Sequence, residues 1–144
     1  MTKKIINYII LSFLILLAAS CVDKEANANT FFGGKIINPK TRFVALYSND
    51  KLIDTLYLNN RNKFLGTYEN LDEGLYYFQH GNENQYVYLE PKDSLILRLN
   101  TWDFDESLVF AGKGAERNNI LIDIFLETEN ERKDFYQFYV LHSH

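Results

Sequence analysis

From Thr30 onward, short runs rich in β-branched and aromatic residues alternate with clusters of Asn, Asp, Gly and Pro. Such runs predict strands at Thr30–Ile37, Arg42–Ser48, Leu52–Leu58, Lys63–Tyr68, Gly74–His80, Gln85–Glu90, Ser94–Asn100 and Ser107–Ala111. The turns between them are Asn38-Pro39, Asn49-Asp50, Asn59 to Asn62, Asp72-Glu73-Gly74, Gly81-Asn82 and Pro91-Lys92-Asp93. Period-two alternation assigns faces. Phe43, Ala45 and Tyr47 oppose Val44 and Leu46; Tyr76, Phe78 and His80 oppose Tyr77 and Gln79; Leu95, Leu97 and Leu99 oppose Ile96 and Arg98. Strands this short, with no helix between them, predict a mainly β domain: an antiparallel sandwich of about seven or eight strands. Both faces are often apolar, as where tyrosines line an outer face.

After Gly114 the period changes. In AERNNILIDIFLETE, from Ala115 to Glu129, residues Leu121, Ile124, Phe125 and Thr128 fall at i, i+3, i+4 and i+7, the stripe of a helix packed on the sheets. A second helical stretch, Glu131 to Leu141, puts Phe135, Phe138 and Tyr139 on one face. One or two C-terminal helices therefore follow the strands. An aromatic helix face needs a covering surface, which is expected to be either the sheets or a continuation beyond His144, the chain then being truncated.

The first twenty residues follow another pattern. Lys3 and Lys4 precede an apolar run from Ile5 to Leu17, and Ala18-Ala19-Ser20 leads into Cys21, the only cysteine. A basic start, a short apolar core and small residues at its end describe a secretory signal peptide. A membrane span needs about 20 apolar residues, more than this run offers. Cysteine directly after the small residues predicts a lipoprotein in which Cys21 is acylated and becomes the N-terminus. Each buried CH₂ contributes about 0.8 kcal/mol, so the two or three chains of a lipoprotein anchor stably where one would not. Val22 to Asn29, VDKEANAN, reads as a polar tether reaching on the order of 28 Å when extended. Acidic Asp23 and Glu25 beside the lipid point to the outer membrane, on its periplasmic or surface face. The domains are thus 1–20 signal, 21–29 tether and 30–141 sandwich with helices.

Charge narrows the partners. The chain carries a formal net charge of −4, and loss of Lys3 and Lys4 makes it −6. That balance excludes nucleic acid, which selects basic surfaces, and argues against anionic lipid headgroups. With Cys21 lipidated, no disulfide can form within the chain and no Cys-x-x-Cys chemistry is available.

Candidate chemistry is sparse. Gly112-Lys113-Gly114 precedes a helix, where free N–H groups can hold an anion, but the spacing matches no phosphate-binding fingerprint and a strand-to-helix turn explains it. Asp103, Asp105 and Glu106 beside Trp102 and Phe104 suggest calcium or sugar; a solvated turn accounts for them better. His80 reads as a satisfied strand-end histidine, and His142 and His144 lie at a terminus that rarely carries a site. No serine sits in a nucleophile elbow and there is no His-Glu-x-x-His helix. No catalytic residue, metal site or cofactor is expected.

The Cys21 signal, FFGGKIIN from Phe31 to Asn38, YLEPKDSLIL from Tyr88 to Leu97, and FAGKGAERNNILI from Phe110 to Ile122 together carry a family resemblance. Over Thr30 to Leu141 the chain resembles the β-rich N-terminal domain, of unknown function, that precedes a thioredoxin-like domain in lipoproteins of the TlpA/ResA-like thiol-disulfide oxidoreductase type. In that family the catalytic Cys-x-x-Cys lies downstream, so no catalytic residue carries over. The resemblance implies an anchored β-sandwich in the cell envelope, with redox work in a domain absent from this sequence. Three readings follow: a non-catalytic lipid-anchored spacer, docking or partner-binding module; the truncated N-terminal part of an oxidoreductase; or a carbohydrate or small-ligand binder using exposed tyrosines and Trp102. The expected partners are the membrane, through lipid at Cys21, and an envelope protein or the missing thioredoxin-like domain.

Overall fold

The alternation that predicts eight strands builds two four-stranded sheets packed face to face. The computed structural model describes residues 29–142, and Cys21, its signal and most of the tether lie outside them. The strands are β1 (Thr30–Ile37), β2 (Phe43–Ser48), β3 (Lys51–Tyr57), β4 (Lys63–Tyr68), β5 (Gly74–His80), β6 (Glu83–Leu89), β7 (Ser94–Asn100) and β8 (Val109–Lys113), followed by helix α1 (Ala115–His142). Sheet A has the order β4-β1-β7-β8 and sheet B the order β3-β2-β5-β6. All pairings are antiparallel except β1 with β7, which run parallel through the middle of sheet A. Residues distant in sequence close this central pair.

The structure decides which of the alternating faces turns inward. Phe32 and Ile36 of β1, Val44 and Leu46 of β2, Tyr76, Phe78 and His80 of β5, and Leu95, Leu97 and Leu99 of β7 are all buried. Phenyl rings cross the core in series: Phe64 to Phe32 at 5.7 Å, Phe32 to Phe78 at 6.0 Å and Phe78 to Phe104 at 6.1 Å between centroids. The series joins both sheets to the β7–β8 connection, and each such pair contributes about 0.5–1.5 kcal/mol beyond area burial.

Turn chemistry sets the register. Asn49 and Asp50 both take positive φ, 47° and 60°, the conformation whose twist suits a two-residue hairpin. Gly81, at φ 66°, opens an equally tight turn, so β6 begins at Glu83 and not at Gln85. β8 is displaced in the other direction, from Ser107–Ala111 to Val109–Lys113. Ser107 is held in the preceding turn, where its Oγ donates to the Asn100 carbonyl at 3.0 Å and accepts from the Asn100 N–H at 2.8 Å. Ala115 to His142 form one continuous helix, with no break at Asn130.

α1 closes the open side between β6 and β8. Two consecutive side chains do this. Asn118 accepts from the Tyr88 N–H at 2.7 Å and donates to the Tyr88 carbonyl at 2.8 Å; Asn119 does the same to Phe110, at 2.9 and 3.1 Å. Each amide thus replaces the missing neighbour of an edge strand, one in each sheet. Ile122 is buried just beyond, with Phe125 and Leu126 partly buried against the core.

Candidate functional site

The outer face of sheet A carries the most strongly patterned surface among the described residues. Alternation turns Gly33 and Lys35 of β1, Lys63 and Leu65 of β4, and Ile96 and Arg98 of β7 outward. The register then lines them up. Leu65, Gly33, Ile96 and Ala111 form one row across the four strands, and Lys63, Lys35, Arg98 and Val109 form the next. Neighbouring strands lie about 4.8 Å apart, so the backbone positions of the three basic residues span roughly 10 Å. None of the three pairs with an acidic side chain among the described residues.

Glycine shapes the apolar row. A Cβ at Gly33 would sit 2.7 Å from the Phe64 carbonyl oxygen and 2.9 Å from Leu65 Cδ1, so only glycine lets Leu65 lie across the central strand. Leu65 and Ile96 stay exposed, at 59% and 42%. With Tyr57 and Asn59 from the β3 end, Leu65, Ile96, Lys63, Lys35 and Arg98 bound an open groove of about 660 Å³, in the size range of small-molecule sites.

The outer face of sheet B is aromatic. Tyr47, Tyr77 and Tyr86 share one row across β2, β5 and β6. Tyr47 and Tyr77 stack at 4.8 Å with planes 7° apart, and Tyr86 meets Tyr77 edge-on at 6.1 Å. Tyr47 and Tyr77 pair face to face across the strands, so this row stabilises the sheet by cross-strand pairing.

Of the residues that sequence reasoning picked out, Gly112, Gly114, Asp105 and Phe104 serve turns and packing. Gly112, at φ 88°, approaches Ser94 so closely that a Cβ would lie 2.0 Å from its carbonyl oxygen. Gly114, at φ 96°, makes room for the ion pair of buried Asp93 with Arg117. Among the acidic group, Asp105 accepts from Gln85 Nε2 at 3.0 Å. Burial pushes its carboxyl above the ordinary range, against the pull of that hydrogen bond. Trp102 and Phe104 part company: Phe104 joins the core, while Trp102 is 78% exposed. No cluster of three or more metal-ligating side chains occurs among the described residues.

His80 is held by its surroundings. The Lys40 N–H can only donate, so Nε2 accepts it at 3.0 Å; the Phe43 carbonyl can only accept, so Nδ1, 2.9 Å away, carries the hydrogen. Burial lowers its pKa, opposed by the Phe43 carbonyl. His142 ends α1, and His144, like Cys21, lies outside the described residues.

Lys35, Lys63 and Arg98 escaped sequence reasoning because each is a lone outward cation on its own strand. Alternation gives their face; only the parallel β1–β7 register brings them into one row. No known protein family, curated protein or solved structure matches the chain. The fold and the groove define a class: a β-sandwich closed by one helix, with a basic groove on one sheet.

Proposed function

We propose that the chain is a non-catalytic, lipid-anchored module of the cell envelope that binds its partner through the outer face of sheet A. The observation that carries the binding role is the row Lys63, Lys35 and Arg98 beside the apolar row of Leu65, Gly33 and Ile96. Like charges directly opposite one another on a sheet are destabilising, and an acidic chain retains this row without internal partners. An anionic partner offsets that cost.

The anchor rests on the Lys3 to Cys21 pattern, and the resemblance to the N-terminal domain of TlpA/ResA-like lipoproteins suits such a role, with redox chemistry assigned to a thioredoxin-like domain. The test is growth of the native host with labelled palmitate, followed by membrane fractionation. Label in a mature, membrane-bound protein is expected, and Cys21→Ala should abolish it. A soluble wild-type protein without label overturns the anchor.

A further inference from the structure

We infer that the sheet A groove binds a small soluble amphipathic anion, with an apolar body on Leu65 and Ile96 and its sulfonate, carboxylate or phosphate group on the Lys63, Lys35 and Arg98 row. This deepens the reading of sheet A as the binding face and is independent of the lipid anchor.

Three features select the ligand. The apolar and cationic rows are adjacent along the strands, about 6.6 Å apart, the distance between the body and the charge of a small amphipath. At about 660 Å³ the groove admits such a molecule, and Gly33, where any side chain would strike Leu65 and the Phe64 carbonyl, lets the Leu65 side chain that lines it lie across β1. The third is charge. A small solute meets the local potential of three clustered cations, whereas an anionic bilayer also meets the net −4 of the whole chain. A free solute is therefore favoured over a membrane surface.

The experiment uses the isotope-labelled full chain in neutral maltoside micelles, read by backbone amide shifts. Sodium 2-naphthalenesulfonate should move the Gly33, Leu65 and Ile96 amides saturably. Binding should be at least about tenfold tighter than for uncharged 2-naphthol, a difference of about 1.4 kcal/mol, and should weaken with added salt. The exposed triple substitution K35Q/K63Q/R98Q should remove the preference while amides elsewhere keep their positions. Absence of saturable shifts, equal affinity for naphthol, or full binding by the triple variant overturns the inference. So does a groove that responds to phosphatidylglycerol in the micelle and not to the soluble sulfonate. Failure here leaves palmitate labelling intact, and failure of labelling leaves these shifts intact.

Discussion

His80 is the side chain whose chemistry is most constrained. Its ring accepts from the Lys40 amide and donates to the Phe43 carbonyl, so protonation would set two N–H groups against each other at Nε2. Burial also disfavours the charged ring and holds its pKa below the ordinary 6.5. In the unfolded chain His80 takes up a proton near that ordinary value, while the folded protein resists it. Its contribution is therefore intact above about pH 6.5 and declines as pH falls from there toward the lower folded value. His80→Gln keeps a donor and an acceptor but cannot titrate. It should cost about 1–2 kcal/mol at pH 7 and flatten the loss of stability below about pH 6.5, measured by urea unfolding at each pH. An unchanged slope would show that His80 is not the titrating group. Strand position and the face shared with Tyr76 and Phe78 were legible from the alternation. The tautomer was not, because its partners lie some forty residues earlier in the chain.

At the scale of the element, α1 illustrates what periodicity conveys and what it omits. The spacing of Leu121, Ile124 and Phe125 announces a helix, yet Ile124 is 56% exposed and the buried residue is Ile122. The docking face is decided instead by Asn118 and Asn119, an unfavourable pair for a helix interior whose side chains satisfy the edges of β6 and β8. Two adjacent Asn at the start of an otherwise good helix were the available signal, and the backbone groups they serve could not be read without the sheet order. Asn118 is fully buried, and truncation strands both backbone groups of Tyr88 as well as leaving a void. Asn118→Ala should cost about 2–3 kcal/mol and Asn119→Ala, half-buried, about 1 kcal/mol. Amide exchange of the double variant should accelerate first in α1, β6 and β8, with β1 and β2 protected. Uniform acceleration would mean that the helix is part of one cooperative unit and not a separable closure.

For the whole molecule, the two open sides of the sandwich are sealed differently. The β6–β8 side has a helix; on the opposite side the edge strands β3 and β4 are bridged by a hydrogen bond from the Tyr68 hydroxyl to Asp54 Oδ2 at 3.2 Å. Burial, reinforced by the Asp54 charge and hydrogen bond, raises the Tyr68 pKa well above its ordinary value of 10.0. The folded phenol stays protonated where the unfolded one ionises, so its contribution is full below about pH 10 and falls as pH rises above it. Tyr68→Phe removes both the bond and the titration. At pH 7 it should destabilise by about 1 kcal/mol, leaving Asp54 to water at the sheet edge. Above about pH 10 the difference from wild type should shrink, because the wild type alone then loses the contribution of a protonated Tyr68. Paired urea unfolding of both proteins at neutral and alkaline pH measures this. A gap that stays constant would place the alkaline transition elsewhere among the ten tyrosines. A gap that closes would identify the β3–β4 side, which also walls the sheet A groove through Tyr57, as the place where alkali first loosens the sandwich.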